Sequence, residues 1–337
     1  MKYYDKLVFE LSREGRSAFS LPSAKLPAAP ALPENLCRRE TLDLPQLSEP
    51  DVVRHYTNLS QMNFGVDTGF YPLGSCTMKY KPKINEEIAS MPLFQGLHPL
   101  MDAPGAQEIY EKMNEALAAI TGMHKFTFAP CAGAHGELTG LMIMWEYHMR
   151  RGDTSRVKVI VPDSAHGTNP ASAAVCGLQV VQVKSLDNGR IDIEALKLLL
   201  DDTVAGIMMT NPNTLGLFET QIEEIAALVH GAGGLLYYDG ANMNPLMGVV
   251  RPGDMGFDIM HLNLHKTFST PHGGGGPGSG PVGVAEYLVP CLDAIKVSGF
   301  NGNFGVIMKA YAYILSLGRE HLPEVGKYSV LAANYIK

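Results

Sequence analysis

Two apolar segments decide the fold of this chain: Leu235-Leu236-Tyr237-Tyr238-Asp239-Gly240 and Ile259-Met260-His261-Leu262-Asn263-Leu264-His265-Lys266. Each begins as a short run of large apolar residues, which is typical of a strand covered on both faces, and each ends in polar side chains. In parallel α/β sheets, ligands bind outside the carboxyl ends of the strands. The two segments therefore predict that Asp239 and Lys266 lie together at the edge of one sheet that is formed by the carboxyl ends of its strands.

Strand-like and helical patterns alternate on both sides of these segments. Short apolar runs predict strands, and apolar residues at three- and four-residue steps predict helices. The predicted strands are 157–161, 180–183, 204–209, 235–238, 259–264 and 282–285, and the predicted helices are 106–120, 135–151, 191–201, 220–230, 304–317 and 324–337. This alternation predicts an α/β protein with a mostly parallel sheet sandwiched by helices.

Composition divides the chain into three predicted parts. Residues 1–60 contain six prolines and little periodicity, so we expect an extended arm with room for one short helix. Residues 61–300 contain the alternating pattern and form the expected large domain. Residues 301–337 are expected to be a helical connection into a small C-terminal domain that this sequence cuts short.

Charge and hydropathy exclude several classes of protein. The chain has 27 Lys and Arg against 34 Asp and Glu, a formal charge of −7, and no basic block that would bind nucleic acid. No apolar run approaches the roughly 18 residues of a membrane span. The five cysteines form no CxxC pair, so we expect no metal site and a cytoplasmic location. The low charged fraction of 18% favours a surface covered by a protein partner.

A third strand end completes a candidate site. The run at 157–161 is followed by Ser164-Ala165-His166-Gly167-Thr168-Asn169, so a histidine joins the acid and the amine. Pyridoxal phosphate needs a lysine amine for its covalent link, a carboxylate at its pyridine nitrogen and a flat side chain on its ring face. Lys266, Asp239 and His166 would supply these three groups.

The phosphate of such a cofactor is expected at the start of a helix, where backbone N–H groups and the helix dipole favour an anion. Ala132-Gly133-Ala134-His135-Gly136-Glu137 precedes a helical pattern, and its small residues would let an anion approach the backbone. We expect Gly133, Ala134 and His135 to hold the phosphate, although an ordinary strand-to-helix turn has the same composition.

A nicotinamide dinucleotide is the alternative ligand. Gly273, Gly275 and Gly278 formally match GxGxxG, with Asp293 downstream. The context fails, because these glycines precede a strand-like run and open no helix.

Four ordered motifs resemble a known family. They are Tyr71-Pro72-Leu73-Gly74-Ser75-Cys76-Thr77-Met78-Lys79, Ala165-His166-Gly167-Thr168-Asn169-Pro170-Ala171-Ser172, Asp239-Gly240-Ala241-Asn242, and His261 to Phe268 followed by Pro271 to Gly278. Together they resemble glycine decarboxylase, the P-protein of the glycine cleavage system, and most closely its subunit 2. The resemblance covers nearly the whole chain.

The resemblance implies a fold-type-I pyridoxal-phosphate transferase fold and a specific activity. The enzyme would be a glycine dehydrogenase (aminomethyl-transferring) that decarboxylates glycine and passes the aminomethyl group to the lipoyl arm of H-protein. It would pair with subunit 1 in a heterodimer or a dimer of heterodimers. Lys266 would be the Schiff-base lysine, Asp239 the partner of the pyridine nitrogen and His166 the ring-stacking residue.

The motifs also imply the remaining site residues. Thr210, Asn242 and His265 are expected near the cofactor; the residues expected to line the substrate site are Tyr71, Ser75, Cys76, Thr77 and Asn213. The alternatives are another fold-type-I pyridoxal-phosphate enzyme, of the aminotransferase or cysteine-desulfurase type, and a noncatalytic scaffold subunit. A scaffold would have no need of Lys266 together with Asp239.

Overall fold

The structure is a computed structural model, and it describes residues 3–20, 30–40, 42–63, 65, 67, 69, 80–271 and 278–337. The chain forms two compact units, residues 1–73 and residues 74–337. The predicted substrate residues Tyr71, Ser75, Cys76 and Thr77, and the glycine run at 273–276, lie outside the described residues.

In the first unit an irregular segment packs on one helix. Helix α1 spans Glu49–Ser60. The Tyr4 hydroxyl lies 2.9 Å from Nδ1 of the buried His55, and Arg16 forms an ion pair with Asp51 at 2.5 Å. Two contacts from residues distant in sequence therefore fix the N-terminal segment against α1.

The second unit contains the remaining α-helices and all the strands of the described residues. Its helices are α2 (Lys83–Ala89), α3 (Pro92–Gln95), α4 (Pro104–Thr121), α5 (Gly133–Arg150), α6 (Thr168–Val175), α7 (Ile193–Leu199), α8 (Ile222–Gly231), α9 (Leu264–Thr267), α10 (Val289–Ala294) and α11 (Phe304–Ile336). Its strands are β1 (Lys125–Thr127), β2 (Lys158–Pro162), β3 (Gln179–Val183), β4 (Val204–Met209), β5 (Leu235–Gly240), β6 (Ile259–Leu262) and β7 (Val282–Val284).

The seven described strands form one sheet in the order β1-β7-β6-β5-β4-β2-β3. The pairs from β3 to β6 are parallel, whereas β7 pairs antiparallel with both β6 and β1. Strands β4, β5 and β6 are buried along their whole length, as their apolar composition predicts for a sheet with helices on both faces. The predicted α/β fold with a mostly parallel sheet is confirmed.

One predicted boundary is wrong in a way that matters for the site. The apolar pattern predicts a strand to residue 264, but β6 ends at Leu262 and Leu264 already opens the short helix α9. Asn263 is the N-terminal cap residue of that helix, and its carbonyl accepts from the N–H groups of Lys266 and Thr267. The apolar side chain of Leu264 is buried in a helix as it would be in a strand, so periodicity cannot distinguish the two.

The helix α11 runs for 33 residues and is kinked at Gly318, whose φ of 63° lies in the left-handed region. The kink separates the two helices that the sequence predicts at 304–317 and 324–337. No helix in the described ranges is long and apolar enough to cross a membrane.

Helix α5 lies close to the sheet because glycines line one of its faces. A β-carbon at residue 136 would lie 3.0 Å from Cβ of His261, and one at residue 140 would lie 2.2 Å from Cε2 of Tyr237. Both partners are fully buried strand residues, in β6 and β5 respectively. The absence of side chains on this face therefore sets the distance between α5 and the strands that carry the site.

This close approach can be tested by adding one methyl group. We expect Gly140→Ala to lower the free energy of unfolding by about 2 kcal/mol, because the Tyr237 ring must move in a packed core. Gly231→Ala is the matched control: it lies in α8, its β-carbon would meet nothing within 4 Å, and alanine favours helix. Urea unfolding measures both; an equal loss in the two variants would contradict the packing argument.

Candidate active site

Three strand ends converge on one edge of the sheet. Asp239 belongs to β5 and lies opposite His261 in the parallel register with β6. Lys266 lies in α9, which follows β6, and His166 lies between β2 and α6. The structure therefore brings the predicted acid, amine and imidazole to the same edge, as the strand-end argument predicts.

Asp239 is buried, with 3% of its surface exposed, and it is held by three groups. Its Oδ2 accepts a 2.7 Å hydrogen bond from Nδ2 of Asn169, and its Oδ1 accepts one of 2.9 Å from the Ala241 N–H. Nε2 of His261 lies 3.3 Å from Oδ1. Donors on α6 and on the backbone thus hold a buried carboxylate, and the imidazole of His261 on β6 lies beside it.

Behind this carboxylate lie two buried aromatic side chains. The Tyr237 hydroxyl is 2.8 Å from Nδ1 of His261 and 3.3 Å from the Gly136 carbonyl oxygen. Burial, and after it the carboxylates of Asp239 and Glu137, raises the pKa of Tyr237. The hydroxyl therefore keeps its hydrogen and can donate it.

His166 is exposed, and its orientation is set by a chain of hydrogen bonds. Its Nδ1 lies 2.7 Å from the Thr168 hydroxyl, which donates a 2.9 Å hydrogen bond to Oε1 of Glu137. Oε2 of Glu137 accepts a second hydrogen bond, of 3.0 Å, from Ser172. Glu137 is 4% exposed, so a buried carboxylate anchors the loop that presents the imidazole.

Lys266 is half-buried in α9. Its amine has no hydrogen-bond or ion-pair partner among the described residues, although the backbone N–H is fixed by the Asn263 carbonyl at 3.0 Å. An amine without an internal partner, on a backbone that is held in place, is suited to react with a ligand.

The predicted phosphate turn is the first turn of α5. Gly133, Ala134 and His135 precede the first hydrogen bond of the helix, which runs from the Gly136 N–H to the Ala132 carbonyl, and no side chain caps the helix. Ala134 is exposed, so its N–H side is accessible. A β-carbon at Gly133 would lie 2.2 Å from Oδ1 of Asn263, so only glycine lets this turn approach α9.

The remaining predicted residues lie around this edge with different surroundings. Thr210 and Asn213 line a small cavity together with Ala165, next to the loop that carries His166. The Asn213 side chain bonds its own loop, donating to the Gly189 carbonyl and accepting from the N–H groups of residues 215 and 217. Asn242 accepts from the Asn244 N–H, and His265 is buried in α9. Their ligand contacts stay predictions.

Glu137, Asp239 and His261 place potential metal-ligating atoms within 4.8 Å of one another. Both oxygens of each carboxylate already accept hydrogen bonds from the chain. These hydrogen bonds hold the two carboxylates in place.

Relatives of this chain share one name. A protein of Caldanaerobacter subterraneus subsp. tengcongensis named "Probable glycine dehydrogenase (decarboxylating) subunit 2" is 57% identical, over 100% of this chain and 75% of the relative. A protein of the same name from Pyrococcus horikoshii is 53% identical, over 99% of this chain and 72% of the relative. This chain belongs to the glycine dehydrogenase (decarboxylating) subunit 2 family. It spans about three quarters of the length of these relatives.

A family model and two solved structures also match this chain. The aminotransferase class-V family matches residues 103–275. A crystal structure of a glycine decarboxylase (P-protein) of the glycine cleavage system matches with a TM-score of 0.74 at 22% identity, covering 90% of this chain and 75% of that one. A sphingosine-1-phosphate lyase of Burkholderia pseudomallei matches with a TM-score of 0.62 at 15% identity, covering 90% and 74%. These structures share the fold of this family member.

The prediction missed three residues that the structure places in the site: Asn169, Glu137 and His261. Asn169 and His261 both contact Asp239, and Glu137 anchors the His166 loop. All three stand inside the quoted motifs, so the signal was their position one to three residues from an assigned residue or strand end. Within these motifs the sequence analysis assigned roles to other residues and gave none to these three.

The anchoring role of Glu137 predicts an effect of removing one hydroxyl. We expect Thr168→Val to lower the free energy of unfolding by about 2 kcal/mol, because it leaves a buried carboxylate oxygen without its donor. Thr203→Val is the matched control, since that hydroxyl also donates to a carboxylate, Asp201, but in an exposed turn; its loss should stay below about 0.5 kcal/mol. Denaturant unfolding measures the free energy of unfolding of both variants. An equal loss in Thr203→Val would contradict the argument.

Proposed function

We propose that this family member is the cofactor-bearing subunit of a glycine dehydrogenase (decarboxylating) that acts on glycine with pyridoxal phosphate. One observation carries the proposal: Asp239 lies in β5 near its carboxyl end, and Lys266 lies in α9, directly after the adjacent parallel strand β6, with His166 at the same edge. The names of the relatives favour this activity over the aminotransferase and cysteine-desulfurase alternatives.

The residues present fit pyridoxal phosphate. The buried Asp239 offers its carboxylate to the pyridine nitrogen, and the uncapped start of α5 offers N–H groups to the phosphate. Oδ1 atoms of Asn169 and Asn263 are buried without a hydrogen-bond partner among the described residues, so polar atoms at this edge await a ligand or water. Lys266 would hold the aldehyde carbon through its amine.

Pyridoxal phosphate, when bound, supplies an electron sink that lets glycine release its carboxylate as CO2. Asp239, held by Asn169 and the Ala241 N–H, would accept a hydrogen bond from the ring nitrogen and so maintain the sink. His166 would cover one face of the ring and limit the access of water. Lys266 Nζ would hold the cofactor before glycine binds and would hold or return a proton afterwards.

The transfer step requires partners. We propose that the product aminomethyl group passes to the lipoyl arm of H-protein and that the chain pairs with subunit 1, in a heterodimer or a dimer of heterodimers, since its relatives are named subunit 2. We also propose a cytoplasmic location, because the four described cysteines are free thiols, as expected in a reducing compartment.

The covalent link to Lys266 has a direct test. Purified protein supplied with pyridoxal phosphate should absorb visible light, and borohydride should trap the cofactor on the chain. Lys266→Ala should abolish the trapped adduct, because no other amine in the described part of the chain follows a buried strand at this edge. Lys158→Ala is the control, since that lysine forms a surface ion pair with Asp201, and it should trap cofactor normally. Equal trapping by Lys266→Ala would overturn the assignment.

The substrate and partners are tested by exchange of labelled bicarbonate into the carboxyl group of glycine. With subunit 1 and lipoyl H-protein present, we expect exchange that rises with H-protein and disappears in Lys266→Ala. Exchange that ignores added H-protein would favour another pyridoxal-phosphate enzyme, and no exchange by the assembled wild-type proteins would contradict the proposed activity.

A further inference from the structure

His261 is a buried titratable side chain with no role in the proposed mechanism so far. It is 0% exposed, and its Nε2 has no aligned hydrogen-bond partner among the described residues. The nearest acceptor is Oδ1 of Asp239, at 3.3 Å, an electrostatic contact that is longer than the other two contacts of this carboxylate. A buried polar nitrogen with one neighbour is expected to act on that neighbour.

The hydrogen of the imidazole can be assigned from its surroundings. The Tyr237 hydroxyl is closer to Nδ1 of His261, at 2.8 Å, than to the Gly136 carbonyl, at 3.3 Å, so its one hydrogen points to Nδ1. Nε2 then carries a ring hydrogen. An Nε2 lone pair facing an ionised Asp239 would be repulsive, so both neighbours favour the same tautomer.

The Nε2 hydrogen of His261 faces a carboxylate with several acceptor positions. A carboxylate has about four lone-pair positions, two on each oxygen. The Ala241 N–H donates to Oδ1 and Asn169 donates to Oδ2, while Nε2 of His261 lies 3.3 Å from Oδ1 as an electrostatic contact without an aligned hydrogen bond. One position, on Oδ2, faces no donor of the described chain.

We propose that His261 is a positioning residue that occupies Oδ1 of Asp239 and leaves Oδ2 as the acceptor for the ring nitrogen of the cofactor. This inference rests on the proposed function. Tyr237 fixes the imidazole, and the glycine face of α5 gives both rings their room. His261 acts through Asp239 and touches no reacting atom.

The test compares pyridoxal phosphate with its 1-deaza analogue, in which C–H replaces the ring nitrogen. Wild-type protein should bind the natural cofactor about tenfold more tightly, the worth of one charge-assisted hydrogen bond. His261→Leu should reduce this preference to about twofold or less, because Oδ1 is then free to compete for the hydrogen and the carboxylate can rotate. His261→Gln, which keeps an N–H donor at similar reach, should restore most of the preference.

Two further variants keep the test decisive. His148→Leu removes another fully buried histidine, whose Nε2 contacts the Ala205 carbonyl, and should leave the preference unchanged. Tyr237→Phe should lower the preference severalfold, and it carries the test if His261→Leu does not fold. If His261→Leu keeps the full preference for pyridoxal phosphate over the analogue, the inference is overturned. If only Tyr237→Phe folds, the same result in that variant overturns it. A wild-type protein that binds neither compound overturns the proposed function instead.

Discussion

The close approach of helix α5 to strands β5 and β6 is the constraint on which the site depends. Gly133, Gly136 and Gly140 lie on the face of α5 that meets Asn263, His261 and Tyr237. Without side chains on this face, the start of the helix reaches the edge where Asp239 and Lys266 lie. One packing interaction therefore sets both the distance between α5 and the sheet and the position of the helix terminus that can bind an anion.

The electrostatics of the site follow from this packing. Two buried carboxylates, Asp239 and Glu137, lie near each other in a region that excludes water. Each is stabilised by donors on neighbouring elements: Asn169 and Ala241 for Asp239, and Thr168 and Ser172 for Glu137. Most of these donors belong to α6, so the loop that carries His166 is fixed by the same hydrogen bonds that keep the acids buried.

The sequence predicted the parts of the fold that depend on local pattern. Apolar runs located the core strands, and strand ends located Asp239, His166 and Lys266, because a parallel sheet places its carboxyl ends together. The end of β6 was missed, since Leu264 is apolar and buried whether it lies in a strand or in α9. The residues behind Asp239 were also missed, because contacts such as that of His261 join residues whose proximity is set by sheet register and not by chain order.

The two outermost strands of the sheet, β1 and β3, differ in how they meet solvent. Strand β1 has only three residues, and Lys125 at its start forms an ion pair with Asp293. A short outermost strand with a charge at its end offers few free backbone groups with which a strand of another molecule could pair. At the opposite edge, β3 is longer, and most of its residues are exposed. If partly unfolded copies of this protein aggregate through strand pairing, that pairing would start at β3.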